Sequence, residues 1–346
     1  MVNVGIIGCG YWGPKLIRNF HEIPEANLSM VCDLDRGKLE RVQKEYPYVA
    51  TTTDIGELLE SSVDAVVVAT PVASHYCLAK QALLHNKNVL VEKPLTRSIG
   101  EAKELIELAE KRNLVLMAGH TYAYHPAVEF MCQLVKSGEL GEIYYINAAR
   151  LNLGLFRSDV NVLWDLAPHD ICIVLALLDK DPLAVSATGA GHIDIAVCDV
   201  AYMELRFSDK TLAHLHFSWL DPCKVRQITV VGSKKMVIYD DVSENEKIRI
   251  YDKGVTIPGV TIPNNGGNFA AWLPSYRYGD VTIPFIPNTE PLRLECSHFV
   301  ECITKGKRPR TDGWAGLKIV TILEAANKSL LNGGGREMLP SPIPVA

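Results

Sequence analysis

The chain has 346 residues, 48% hydrophobic and 22% charged, with a formal net charge of −5. That balance describes a globular protein of about two domains, and no block of lysine and arginine offers a grip on a phosphate backbone, so nucleic acid is excluded as an expected partner. The opening MVNVGIIG lacks a basic stretch, and its apolar run is too short for a signal peptide or a membrane span, so a cytoplasmic protein with no membrane partner is expected.

From residue 2 to about 118, short apolar runs (NVGIIG, ANLSMVC, VDAVVVAT, KNVLVEK, NLVLMAG) alternate with helical patterns such as residues 99–111. Strands that are apolar throughout, each followed by an amphipathic helix, require a parallel sheet covered on both faces. Residues 1–120 are therefore expected to form an α/β, doubly wound Rossmann domain.

Within it, Gly8-Cys9-Gly10-Tyr11-Trp12-Gly13 follows the first strand and opens a helix, and Asp33 ends the second strand twenty residues after Gly13. The first glycine permits the tight turn, the second lets backbone amides approach a pyrophosphate, and the third allows close helix packing. An acid at the end of the second strand accepts from ribose hydroxyls and repels a 2′-phosphate, which favours NAD over NADP. Arg36, three residues on, is placed to stack on adenine or meet a phosphate.

Residues 121–346 change texture. Helical patterns at 126–136 and 161–178 flank a strand at EIYYINAARL, and LAVSATGAG, DVAYMELRF, TLAHLHFSW, RQITVVGS and KMVIYD follow with hairpin-length links. An α+β domain on a large, mostly antiparallel open sheet is expected, for substrate binding and oligomerisation. A second copy covering its open face would give a homo-oligomer, a dimer or tetramer. Residues 252–291, with many prolines and glycines, read as a long excursion whose Trp272, Tyr276 and Tyr278 reach a substrate or a neighbouring subunit, or neither. Helices at 294–304 and 313–331 close the chain, the last expected to pack back on the first domain. The nine cysteines form no Cys-x-x-Cys pair and read as buried thiols, with no metal site.

Two further stretches, VVVATPVASHYCLAKQAL with Thr70, Pro71 and His75, and KNVLVEKPLT with Glu92, Lys93 and Pro94, resemble the fourth and fifth strand ends of the Gfo/Idh/MocA oxidoreductases. With the glycine loop, Tyr11 and Trp12 included, the resemblance spans most of residues 2–120. It implies that these residues bind NAD, that Glu92-Lys93-Pro94 lies against the nicotinamide with an often cis Lys-Pro bond, and that Lys93 helps a proton leave. The residues alone point to the same place, since open parallel sheets bind ligands beyond the carboxyl ends of their strands.

In NVLWDLAPHDICIVLALL, Asp165 and His169 lie four apart on one helix face. The spacing also fits an aspartate answering the helix dipole and a core histidine. The resemblance implies instead that His169 accepts the hydroxyl proton while Asp165 orients the sugar or the imidazole. Pro168 inside the motif, and VNVLW in place of a Gly-rich run, depart from the family pattern. Tyr122 stands where polyol-binding relatives carry arginine, so a phenol there is a second candidate for stacking on a sugar or moving the proton. LNLGLFRSDVN supplies Asn152, Arg157 and Asn161, and the arginine suits a phosphate or carboxylate. FSWLDPCKVRQITVVGSKKMVIYDD, with Lys224 and Arg226, and EPLRLECSHFVECITKGKRPRTDG look most like the branch acting on nucleotide-linked sugars. Its members oxidise the 3-hydroxyl of a UDP-linked amino sugar, and an aminotransferase then acts on the ketone. A free polyol such as inositol, or a non-catalytic NAD(H)-sensing or scaffold role, are the other readings.

Overall fold

The computed structural model describes residues 1–256 and 274–340. Strands β1 (Val2–Ile7), β2 (Ala26–Cys32), β3 (Ala50–Thr52), β4 (Ala65–Val68), β5 (Asn88–Glu92) and β6 (Leu116–Gly119) form a parallel sheet in the order β3-β2-β1-β4-β5-β6. Strand β4 shows why this sequence chooses that sheet. Ala65 and Val67 pack with α1 (Gly13–Glu22) and α2 (Arg36–Glu45) on one face. Val66 and Val68 pack with α3 (Ile55–Glu60), α4 (Val72–Leu84) and α5 (Ile99–Arg112) on the other. A strand apolar on both faces is stable only between two helical layers, where each buried valine contributes roughly 1.5–3 kcal/mol. The strand order reverses between β1 and β4, which opens a crevice at their carboxyl ends.

A short 3-10 turn (Thr121–Tyr124) and α6 (Pro126–Lys136) lead into the second sheet. It contains β7 (Ile143–Leu153), then, after α7 (Val162–Leu178), β8 (Ala184–Ala190), β9 (Val200–Arg206), β10 (Leu212–Ser218), β11 (Leu220–Gly232), β12 (Met236–Asp240), β13 (Ile248–Thr256) and β14 (Ser275–Thr282). After α8 (Pro291–Lys305) and α9 (Gly313–Leu331), β15 (Glu337–Met338) completes the order β14-β13-β12-β11-β7-β10-β9-β8-β15. Neighbours run antiparallel except β7 and β10. Ile146, Ala148, Leu215, Phe217 and Val230 face a core shared with α6, α7 and α9. The opposite face is open, with Tyr202 stacked on His216 at 4.2 Å between ring centroids.

Helix α8 returns to the first sheet, where Leu292, Phe299 and Val300 join the core of β1 and α1. It begins three residues before the expected 294 because Pro291 opens it, its fixed φ and missing N–H both suiting a first turn. Helix α9 divides its apolar residues, Leu317 and Val320 entering the core around α5 and Ile319, Ile322 and Leu323 that of the second sheet.

The expected 252–291 excursion is corrected in part. Strand β13 continues to Thr256, and β14 pairs with it through Thr256↔Ser275 to Ile250↔Thr282. Tyr276 and Tyr278 are exposed on β14 and stack on one another, whereas Trp272 lies outside the described residues. Prolines and glycines punctuate this stretch and mask two consecutive strands that pair with one another. The cysteines also divide, since Cys77 and Cys223 are exposed rather than buried.

One buried ion pair fastens β7 to α7. Arg150 donates from Nε and Nη2 to the Asp170 carboxylate at 2.7 and 2.9 Å, and both side chains are almost fully buried. Asp170→Ala strands a buried guanidinium and is expected to cost about 3–5 kcal/mol in urea unfolding. A paired Arg150→Met and Asp170→Leu replacement should lose far less, and an unchanged midpoint for Asp170→Ala would refute a structural role for the pair.

Candidate functional site

The glycine loop joins β1 to α1, and its three glycines differ in what they leave room for. A Cβ on Gly8, whose φ is +102°, would lie 2.5 Å from the Ala69 carbonyl oxygen, and one on Gly13 would lie 2.2 Å from that of Gly8. Nothing lies within 4 Å of the corresponding position on Gly10. Two glycines thus permit close packing and the third leaves the backbone open to a ligand. No side chain caps the amino end of α1, so its first-turn amides face the same opening. Lys15 Nζ stands 3.9 Å from the Tyr11 ring centroid and 4.2 Å from that of Trp12, adding positive charge beside the loop.

Asp33 is oriented by its neighbours. Its Oδ2 accepts from Cys9 N at 2.5 Å, its Oδ1 accepts from Asp35 N at 2.9 Å, and Lys38 Nζ lies 3.7 Å away. Each oxygen keeps lone-pair capacity for a ribose hydroxyl. Arg36 is exposed on the first turn of α2.

Beyond the loop a cleft of about 490 Å³ runs between the two sheets. Gly10, Tyr11 and Trp12 line one end, Thr70, Pro71, Glu92, Lys93 and Pro94 the floor, and Arg157, Asp165 and His169 the far wall. The Lys93–Pro94 bond is cis, as the resemblance implies. Lys93 Nζ donates to the Asp165 carbonyl oxygen at 2.8 Å and approaches its Oδ1 at 3.4 Å. Arg157 Nη1 reaches the same Oδ1 at 3.5 Å, and Trp219 Nε1 donates to Oδ2 at 3.2 Å. Asp165 therefore gathers donors from three separate segments. Pro168 stays inside α7, whose turn it deprives of one backbone donor, and Lys93 supplies a donor to the adjacent carbonyl.

His169 lines the cleft one turn after Asp165, with Nδ1 buried and without a partner among the described residues. Burial, reinforced by the positive charges of Lys93, Arg150 and Arg226, holds its pKa well below the ordinary value, so the ring is neutral and able to take a proton. Tyr122 sits behind it, ring edge to ring face at 5.2 Å. Its hydroxyl donates to Asp241 at 2.8 Å and accepts from Arg150 at 3.0 Å, so it braces His169 and does not line the cleft. Arg226 likewise turns to Asp241, at 3.2 Å, while Lys224 is exposed. Asn161 caps α7 by accepting from Trp164 N and donates to Asn327, again off the cleft wall. His75 is buried and bonded to backbone carbonyls.

Spacing in the sequence carries no sign of Trp164 and Trp219, which line the cleft, or of the buried Glu295 on α8. Trp219 meets Asp165 from 54 residues away. Glu295, on α8, accepts from Thr121 Oγ1 at 2.8 Å, and its Oε1 is buried without a partner among the described residues. Burial, then the charge of Glu92, holds its carboxyl well above the usual range, while burial pushes Glu92 up to about 7 and His120 down to about 3. Burial also lifts the Cys9 thiol to about 12, leaving no thiolate beside the glycine loop.

Residues 2–120 match the family model described as an oxidoreductase family with an NAD-binding Rossmann fold, and residues 128–238 match the GFO/IDH/MocA C-terminal domain. The UDP-N-acetylglucosamine 3-dehydrogenase of Acidithiobacillus ferrooxidans is 30% identical over 330 residues, covering 92% of this chain and 94% of the relative. The chain belongs to the Gfo/Idh/MocA oxidoreductase family. The solved structure of that dehydrogenase superposes with a TM-score of 0.77 at 25% identity, covering 95% of this chain and 97% of the other. The scyllo-inositol 2-dehydrogenase (NAD(+)) of Bacillus subtilis is 26% identical over 354 residues, 96% of this chain and 95% of that one. GenD2 from gentamicin A biosynthesis, solved with NAD, shares the fold at a TM-score of 0.81 with 22% identity, over 98% of this chain and 96% of that one. This family member is an NAD-dependent oxidoreductase, and its residues fit the cofactor: the space at Gly10, the uncapped amides of α1 and the oriented carboxylate of Asp33 match a pyrophosphate and a ribose. Among the described residues no helix is long and apolar enough to cross a membrane.

Two expectations follow. Asp33→Ala should lower the ratio of NAD to NADP affinity about tenfold, and an unchanged ratio would remove Asp33 from cofactor selection. Because the folded state raises Glu92 to about 7 from an ordinary 4.5, its contribution to stability is present below 4.5 and lost as pH rises through 7. The permanently neutral Glu92→Gln avoids that loss, and should gain on the order of 3 kcal/mol relative to wild type between about pH 4 and 8 in urea titrations. Parallel curves would show that folding leaves the Glu92 carboxyl unshifted.

Proposed function

We propose that the enzyme oxidises the 3-hydroxyl of a UDP-linked amino sugar, converting UDP-N-acetylglucosamine to its 3-keto form. The observation that carries this reading is the convergence of Lys93, Asp165 and His169 in one cleft beside the dinucleotide loop. Full-length similarity to a UDP-N-acetylglucosamine 3-dehydrogenase supports the substrate. Arg157, on the wall of the cleft and partly exposed, suits the diphosphate. NAD held at Gly10 and Asp33 would supply the hydride acceptor for the carbinol carbon. Neutral His169 takes the hydroxyl proton at Nε2, its Nδ1 being buried, while Lys93 donates to the same oxygen as the carbonyl forms. Asp165 holds Lys93 in place. Trp164 and Trp219, with Trp12 at the other end of the cleft, help exclude water.

A ketone at C3 is the substrate an aminotransferase requires, so such an enzyme is the proposed next step. A second copy covering the open face of the second sheet would make the cytoplasmic enzyme a homo-oligomer.

The test is NADH formation by purified protein with UDP-N-acetylglucosamine, UDP-glucose or free myo-inositol, with an aminotransferase and glutamate trapping the ketone. Turnover of the UDP-amino sugar supports the reading, and turnover of inositol alone replaces it with a polyol dehydrogenase. Lys93→Ala and His169→Ala should each lower kcat by about 10²–10⁴ with NAD affinity within a few-fold. Unchanged turnover in either removes that residue from the chemistry. Since His169 is held neutral, any acid limb it contributes to kcat/KM should lie below its ordinary 6.5.

A further inference from the structure

His75, on the first turn of α4, is 1% exposed, and its ring fills the space between two backbone carbonyls. Nε2 lies 2.9 Å from the Thr70 oxygen and Nδ1 lies 2.9 Å from the Pro94 oxygen. Thr70 belongs to the segment leaving β4 and Pro94 to the one leaving β5, and both segments line the cleft. Carbonyls only accept, so the ring is the donor, and in its neutral form the tautomer decides which carbonyl receives the proton. Ser74 Oγ, 2.8 Å from the Pro71 oxygen and from Thr70 Oγ1, fastens the first segment further. His75 is therefore a cross-link between adjacent strand ends. It does not line the cleft.

Topology says which half of a dinucleotide these segments meet. The glycine loop follows β1, and Asp33 follows β2, on the side of β1 away from β4. A cofactor with its pyrophosphate at Gly10 and its adenosine ribose at Asp33 directs its remaining half over β4 and β5.

We propose that His75 is the positioning residue for the nicotinamide half of the cofactor, setting the gap between Thr70-Pro71 and Lys93-Pro94 from behind the cleft wall. Without the ring the two segments lose their shared anchor. Ordering them then falls on the cofactor, at the expense of the affinity of that half alone.

Calorimetric binding of NADH and of ADP-ribose, which lacks the nicotinamide, separates this role from a general structural one. His75→Ala should weaken NADH about tenfold while ADP-ribose changes less than about twofold. His75→Gln, which keeps an amide donor in the same space, should recover most of the NADH affinity. His75→Leu, which fills the space without a donor, should repeat the Ala result and serves where the Ala variant does not fold. Equal weakening of both ligands, or no change in either, would overturn the proposal. No sugar is needed, so the result is independent of the substrate assay.

Discussion

The contact between Lys93 and Asp165 joins the two halves of the molecule at the cleft. Lys93 ends a strand segment of the first sheet and Asp165 lies on the helix that covers the second, and their side chains are largely buried. A cation in that position is stable only with close acceptors, and the Asp165 carbonyl and carboxylate supply them. The carboxylate in turn draws in Arg157 and Trp219. Three stretches remote in sequence, around Lys93, residues 157–165 and Trp219, thereby acquire one geometry, and they line one cleft.

The surroundings of this contact push neighbouring groups in opposite directions. Burial, reinforced by Lys93, Arg150 and Arg226, holds His169 well below its ordinary range, while burial holds Glu295 well above its own and pushes Glu92 up to about 7. Separation of titration ranges among close groups assigns acid and base roles. A histidine that is already neutral can take a proton from a hydroxyl, and a buried guanidinium paired with Asp170 can hold it neutral without competing for that proton. Tyr122 contributes by packing behind the ring, its hydroxyl engaged with Asp241.

The first sheet was almost wholly legible in the sequence, because strands buried on both faces are continuous apolar runs and the glycine loop has one demanding geometry. The helices at 126–136 and 313–331 have the expected bounds. Legibility declines where partners are distant. Strand β14 pairs with β13 across a segment punctuated by prolines, Trp219 meets Asp165 through the fold alone, and Glu295 meets Thr121 from 174 residues away. Residue type does not reveal which polar atoms are already engaged at Asn161 and Tyr122. Each has the chemistry to touch a sugar, yet the backbone amide of Trp164 and the carboxylate of Asp241 claim their polar atoms first.

The same competition bears on the mouth of the cleft. Arg157 is bonded to Asp159 at 2.9 and 2.7 Å, but that pair is more than a third exposed, where an ion pair contributes about 0–1 kcal/mol. A diphosphate arriving there presents more charge than one carboxylate and can take the arginine from Asp159 at small cost. A free polyol offers no charge for which to exchange it, and would leave Arg157 where it is. The weakness of the Arg157 pair is thus what a nucleotide-linked substrate would require of the entrance, whereas the buried Lys93 contact is what the proposed reacting centre would require of the interior.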